Sequence, residues 1–302
     1  MQAIVLYLAG FLIPVLGQIV VLFTPVPFIL VFLRQGRIEG ISSLALSSAI
    51  IAVLTGWQIA VILVFSFGLM AIGTAEAMRR RLKAEYVAVS GGLLPIVIVG
   101  AVLALYFSRV HTNPIDVIER YLNRSMAESA QLYARIGLQE MAAIIKSLSV
   151  SFIYYLARLV PGILITMSVL QAACCFGLVR MLLLRNQEAG IALHYPSLAE
   201  WHAPDSWVWG LIACLALIAI PGEAFRFSGL NLAVAFSVVY TVQGLSLVEH
   251  YLRKAGIHAA VRSILHTLLL ILPTIAFIIA LGVVDIWADF RKVRQQAQTP
   301  QL

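Results

Sequence analysis

Long apolar runs, separated by short groups of basic residues, dominate the 302-residue chain. An α-helix needs about 20 apolar residues to cross a bilayer. The pattern predicts membrane segments at 3–23, 26–34, 40–56, 58–78, 85–107, 148–183, 207–221, 228–250 and 263–286. If 26–34 crosses, there are nine spans with Met1 inside; if it re-enters, there are eight with Met1 outside. We therefore expect an all-α, polytopic helical membrane protein of 8–9 transmembrane helices, with residues 1–302 forming a single helical membrane domain.

Residues 109–146 interrupt this pattern with a polar stretch. Asn113-Pro114 is typical of a helix start. Apolar side chains such as Ile118, Tyr121 and Leu122 then recur at helical spacing between charged ones. This pattern predicts an amphipathic helical insert that is too polar to span. It either lies on the bilayer or its own bundle, or acts as a lid or docking face. Residues 287–302 form a polar tail.

Composition agrees with a membrane protein. The chain is 61% hydrophobic and 12% charged, with a mean hydropathy of +0.96, whereas soluble domains are about one quarter charged. The net charge of +7 lies in clusters at the ends of apolar runs, where membrane proteins carry topology signals. We therefore expect membrane lipid and no nucleic acid among its partners.

The basic clusters also predict orientation. They comprise Arg34, Arg37, Arg79, Arg80, Arg81, Lys83, Arg180, Arg185, Arg253, Lys254 and Arg262. All fall on one side if the spans alternate, and we assign that side to the cytoplasm. The 109–146 insert is then extracytoplasmic. Arg291, Lys292 and Arg294 fall on the opposite side, against the positive-inside rule, and Asp285 is expected in water there.

Arg158 lies within an apolar run, and a charge at bilayer depth is costly. It can be an interfacial residue beside Tyr154 and Tyr155, half of a structural ion pair, or the partner of an anion in a cavity. Pro161 removes a backbone donor, frees the carbonyl of Ala157 and predicts a kink.

Other polar residues within the apolar runs are further candidates for binding a ligand. The ligand-binding candidates are Arg158, Gln171, Asn231 and Gln243. Amide side chains also bond between helices with a purely structural role. At the 195–210 junction, Pro204 stops one helix before the next begins, and Trp201 and Trp207 flank it. These three residues are either a membrane anchor or candidates for a partner contact.

No catalytic or metal-binding motif is recognisable in the sequence. There is no HExxH, no Walker A sequence, no GxSxG with a histidine partner and no metal-ligand spacing of the three cysteines. We therefore predict a protein that is not an enzyme, with no metal and no cofactor.

Four segments carry a family resemblance. They are TPVPFILVFLRQGRIEG at 24–40, LVRMLLLRN at 178–186, YPSLAEWHAPDSWVWG at 195–210 and LGVVDIWADFRK at 281–292. Together they resemble the YybS-like family of predicted bacterial membrane proteins. More distantly, Pro27, Gly36 and Gly40 resemble a feature of the S-components of energy-coupling-factor transporters and of the rod-shape protein MreD. The resemblance implies a multi-pass protein of the bacterial cytoplasmic (inner) membrane.

Two functional hypotheses remain open at this point. The first is an S-component-like, small-molecule-binding transporter subunit that depends on a protein partner for energy, with Arg158 holding an anionic group. The second is a non-transporting scaffold or assembly subunit of envelope or cell-division machinery. A cavity lined by Arg158 favours binding, and an apolar patch on 115–145 favours scaffolding.

Overall fold

The computed structural model describes residues 2–12, 16–186, 190, 194–269 and 274–291. Within them the helices are α1 Gln2–Leu12, α2 Leu16–Val21, α3 Pro25–Arg34, α4 Arg37–Thr55, α5 Trp57–Arg79, α6 Ala84–Val110, α7 Pro114–Arg135, α8 Gln139–Arg185, α9 Val208–Ala219, α10 Glu223–Lys254, α11 Ala259–Leu269 and α12 Thr274–Ala288. No β-strand occurs among these described residues. The all-α prediction is confirmed.

Five helices are long and apolar enough to cross a membrane. They are Arg37–Thr55, Trp57–Arg79, Ala84–Val110, Phe152–Arg185 within α8, and Glu223–Lys254. Ile19–Arg34, Asp205–Ala219 and Thr274–Ala288 are apolar but shorter. The apolar pattern therefore located these helices well, whereas the five long ones fall short of the eight or nine crossings predicted.

Two predicted segments are divided differently. Among the described residues, the run 3–23 contains α1 and α2, which pack against each other, and the run 263–286 contains parts of α11 and α12. Pro14 and Pro273 lie between the members of each pair in sequence. Because proline lacks the backbone N–H that would continue a helix, the sequence itself disfavours an unbroken helix through either run.

The polar insert forms a helical hairpin. The side chain of Asn113 accepts a hydrogen bond from the backbone N–H of Ile115 at 2.9 Å, and Pro114 occupies the first turn of α7. The helix α7 then packs along the beginning of α8, a continuous helix of 47 residues. The predicted helix start is present, and the insert is helical.

Close contacts set the order of α6, α8 and α10. Gly92 of α6 approaches the backbone of Val169 in α8, and the Thr166 hydroxyl donates to the carbonyl of Val234 in α10 at 2.8 Å. Tyr154 donates to Glu223 at the first turn of α10. Since contacts on α8 and α10 advance together along both helices, these two helices run in the same direction.

The predicted basic clusters meet at one end of the bundle. His194 lies 3.0 Å from the Arg81 carbonyl oxygen, and Arg180 donates to the Tyr195 carbonyl at 2.9 Å. Trp201 reaches Glu85, at the start of α6, at 3.4 Å. We call this the basic end.

Arg291 corrects the predicted orientation of the last helix. It donates to the carbonyls of Ala199 and Trp201, so it lies at the basic end and not on the opposite side. Asp289 has a φ of 41°, which turns the chain after α12. The C-terminal end of α12 thus lies against the junction; Lys292 and Arg294 are outside the described residues.

Candidate functional site

A buried ion pair stands at the centre of the basic end. Arg291 Nη2 lies 2.9 Å from Asp285 Oδ2, and the two side chains are 0% and 1% exposed. Arg291 Nη1 also donates to Ser246 Oγ at 2.6 Å. Buried charges are tolerated when they are paired and hydrogen-bonded, as both Nη atoms of Arg291 are here. Arg291 Nε is buried and has no hydrogen-bond partner among the described residues. The prediction that Asp285 lies in water was wrong, because α10 and Arg291 enclose it.

Gln243 connects this ion pair to the junction. Its Nε2 donates to Asp285 Oδ2 at 2.7 Å, and its Oε1 accepts from the backbone N–H of Ala203 at 2.9 Å. Ser246 donates to the Trp201 carbonyl at 2.7 Å. The two most distinctive sequence segments, 195–210 and 281–292, therefore form one structural unit. We call Gln243, Ser246, Asp285 and Arg291 the hub.

A cleft of about 480 Å³ lies beside the hub, between the junction and the start of α6. It is partly open to solvent. Its walls include Lys83, Glu85, His194, Tyr195, Trp201, His202, Pro204 and Asp205. We call it the junction cleft.

Two residues that line the junction cleft each carry a buried polar atom with no hydrogen-bond partner among the described residues. Tyr195 is 3% exposed, and its hydroxyl bonds to nothing in the described residues. Burial raises the pKa of Tyr195 to about 12, although Arg81 acts in the opposite direction. The phenol therefore stays protonated at neutral pH and can both donate and accept.

His202 supplies the second such group. Its Nδ1 lies 2.6 Å from the Ala203 carbonyl oxygen, which places a proton on Nδ1. Its Nε2 is buried without a partner among the described residues. Buried polar atoms in folded proteins are nearly always satisfied, so both atoms call for a bound molecule or water.

Arg158 lies in a different part of the molecule and has a counter-charge. It pairs with Glu119 of α7, and its guanidinium stacks 3.7 Å from the Tyr154 ring centroid. The contact with Glu119 matches the interpretation of Arg158 as half of an ion pair. The contact with Tyr154 matches the aromatic surroundings expected of an interfacial residue. None of the three cavities described in the structure includes Arg158 in its lining.

Asn231 explains how α8 accommodates Pro161. Its Oδ1 accepts from the Gly162 N–H at 2.6 Å, and its Nδ2 donates to the Arg158 carbonyl at 2.8 Å. Those two backbone groups pair with each other in an uninterrupted α-helix. The side chain of Asn231 thus inserts into the hydrogen-bond ladder of α8, and α8 remains helical through Pro161.

The four ligand-binding candidates do not converge. Arg158 and Asn231 meet at the hairpin end, whereas Gln171 donates to the Leu22 carbonyl at 2.8 Å. Gln171 follows Arg158 by 13 positions on α8, roughly 20 Å at the helical rise. Gln243 belongs to the hub. Each has a partner within the protein, and a shared ligand remains a prediction.

The junction residues separate into different roles. Trp201 is only 9% exposed, so most of its ring packs inside the protein beside the junction cleft, and its role in a partner contact stays a prediction. Pro204 lines the junction cleft, and the ring of Trp207 packs edge-on against Tyr86 and Phe236. Trp209 is the most exposed tryptophan of this junction, at 73%.

Sequence reasoning missed Tyr195, His202 and the hub role of Arg291. His202 lies between two residues that the pattern singled out, so the junction carried a usable signal. Tyr195 carried none, because its importance depends on burial. Among the described residues, no three His, Cys, Asp or Glu side chains are grouped to hold a metal.

The fold and the apolar helices define a multi-pass helical membrane protein. The chain belongs to the family described as "Predicted membrane protein (DUF2232)", whose model matches residues 2–286. Comparison with curated proteins finds no match, and comparison with solved structures finds none either.

Proposed function

We propose that the protein is a non-catalytic, membrane-embedded subunit that binds a small molecule in the junction cleft. The observation that carries this proposal is that two residues of the cleft walls hold buried atoms, Tyr195 Oη and His202 Nε2, with no hydrogen-bond partner among the described residues. A bound ligand can form the hydrogen bonds that these two atoms lack. No chemical reaction is needed to explain them.

The walls favour a neutral or zwitterionic organic solute. Lys83 is offset by Glu85 and Asp205, so neither sign of charge dominates. Trp201 and Pro204 supply apolar surface, while Tyr195 and His202 offer polar contacts. Such a mixture is typical of small-molecule sites, in which a few polar groups orient a ligand between apolar walls.

The hub gives the junction cleft a rigid floor. The Ala203 N–H is held by Gln243, and the Trp201 carbonyl accepts from both Ser246 and Arg291. A preorganised backbone reduces the ordering cost of binding. As in the S-component hypothesis, energy for any transport would come from a partner protein.

The proposed setting is the bacterial cytoplasmic membrane, with the basic end in the cytoplasm. The convergence of Arg81, Arg180 and Arg291 at one end supports this orientation. The hairpin of α7 and α8 then faces the extracytoplasmic side. The five candidate spans and the three shorter apolar helices are the segments available for crossings. Because the C-terminal ends of α10 and α12 both lie at the basic end, α11 and α12 together make no net crossing.

Native mass spectrometry of the full chain, extracted gently from its own membrane, tests the proposal. We expect a stoichiometric small molecule on the wild type and its loss in Tyr195→Phe/His202→Phe. The matched control, Tyr121→Phe/His111→Phe, alters exposed residues and should retain it. A bare wild-type chain, or equal occupancy in both double variants, would contradict the proposal.

A scaffold role is the second candidate, favoured by the hairpin. Tyr121, Leu132 and Ile136 are 70%, 60% and 61% exposed, and they lie outside the five candidate spans. This apolar surface suits a protein partner. If Leu132→Ser/Ile136→Ser releases a co-purifying protein while Arg158→Leu and the cleft variants do not, docking is the main role.

A further inference from the structure

A second groove lies at the basic end, between α3, α4 and α5, and is distinct from the junction cleft. Its volume is about 370 Å³. Phe32, Ile41 and Ile72 form its apolar lining, which we call the apolar floor, and Ile41 is 55% exposed. The rim carries the guanidinium groups of Arg37, Arg79 and Arg80. We call it the arginine groove.

Glu76 orders two of these arginines. It accepts from Arg37 Nη2 at 2.6 Å and from Arg80 Nε at 2.9 Å. The two arginine side chains nevertheless remain 62% and 67% exposed, so their other N–H groups face outward. Three arginines against one glutamate leave the rim cationic even after this pairing.

The floor shows what kind of anion fits. Ile72 lies seven residues before Arg79 on α5, about 10 Å deeper along the helix, and Ile41 lies one turn from Arg37 on α4. Both helices are candidate membrane spans. A molecule seated here therefore meets guanidinium groups at one end and apolar side chains at the other.

We propose that the arginine groove is a binding site for an anionic phospholipid. The phosphate lies among Arg37, Arg79 and Arg80, and the beginning of an acyl chain lies on Ile41 and Ile72. Basic pockets between transmembrane helices at the cytoplasmic side recognise anionic head groups in this way. Free phosphate has no apolar part that could contact the floor, so the site favours a lipid over free phosphate.

Native mass spectrometry of the full chain, titrated with phosphatidylglycerol or phosphatidylcholine, tests this site. We expect the wild type to prefer phosphatidylglycerol. Arg79→Gln/Arg80→Gln should weaken that binding about thirtyfold, since each arginine near an anionic head group contributes roughly one kcal/mol. Arg120→Gln/Arg135→Gln removes the same charge from the exposed face of α7 and should leave affinity unchanged.

A second variant tests the apolar floor. Ile41→Trp fills the groove and keeps all three arginines, so phosphatidylglycerol binding should fall. Equal binding of the two lipids by the wild type, or equal losses in the two arginine double variants, would overturn the proposal. So would full competition by inorganic phosphate or an unchanged Ile41→Trp variant, since either outcome identifies an ion site without lipid selectivity.

Discussion

Polar side chains inside this bundle hold backbone groups and one another. Asn231 bonds to two backbone groups of α8 beside Pro161, Gln171 bonds to Leu22, and Gln243 joins the junction to Asp285. A carboxamide donates and accepts at once, which suits it to bridging helices. The same chemistry suits ligand binding. The sequence alone therefore could not distinguish residues that bridge helices from residues that bind a ligand.

Asn231→Leu tests the bridge into α8. We expect a loss of about 1–3 kcal/mol in unfolding free energy, because the bonds to the Gly162 N–H and the Arg158 carbonyl disappear. Reversible unfolding in mixed micelles measures the change. Asn123→Leu makes the same substitution on the exposed face of α7 and should cost little. Equal losses in both variants would refute the bridging role.

Asp285→Asn tests the hub. The amide leaves the buried guanidinium of Arg291 without a counter-charge, and breaking a buried pair costs about 3–5 kcal/mol. The same unfolding titration serves as the measurement. Asp116→Asn, on an exposed residue of α7, is the control. A hub variant as stable as its control would mean that the ion pair is dispensable.

At the scale of helices, glycine sets how closely α10 and α12 approach. A Cβ added at Gly282 would lie 1.9 Å from the Tyr240 carbonyl oxygen, and one at Gly244 would lie 2.1 Å from that of Ile278. Any side chain there forces the helices apart. This close crossing brings Asp285 within reach of Gln243 and so places the hub.

Gly282→Ala should destabilise the protein by about 1–3 kcal/mol, the usual cost of overpacking. Gly100 also lies within a helix, but its added Cβ meets nothing within 4 Å. Gly100→Ala should therefore be neutral or stabilising by up to about 1 kcal/mol. Thermal unfolding of the two variants side by side gives the comparison. If both alanines shift stability alike, the crossing is looser than described.

The apolar pattern predicted α4, α5, α6 and α10 well, because each is a long uninterrupted run. It failed in 3–23, where α1 and α2 pack against each other, since the length of an apolar run cannot show a reversal. The hairpin of α7 was predictable from Asn113-Pro114 and its helical spacing. The junction cleft was not, because its walls come together only through tertiary contacts between the junction, α6 and the hub.

At the scale of the molecule, the two ends differ in chemistry. The basic end carries the hub, the junction cleft and the arginine groove, and the other end carries the hairpin with the Arg158–Glu119 pair. Positive charge concentrated at one end is the usual signal for a cytoplasmic face. The contacts of Arg291 with the junction place this residue at the basic end too.

Cysteine labelling in intact cells tests this polarity. With Cys174, Cys175 and Cys214 replaced, an impermeant maleimide should label Gln139→Cys in the hairpin from outside. Glu39→Cys and Lys254→Cys, both exposed at the basic end, should react only after the membrane is opened. If Gln139→Cys and Lys254→Cys were labelled from the same side, the proposal that these two residues lie on opposite sides of the membrane would be contradicted.

The most direct test of the binding function is a high-resolution cryo-electron microscopy map of the full chain, prepared gently from its own membrane. The account predicts non-protein density in the junction cleft within hydrogen-bond distance of Tyr195 Oη and His202 Nε2. Isolated water peaks at both atoms, or a protein side chain satisfying them, would contradict it.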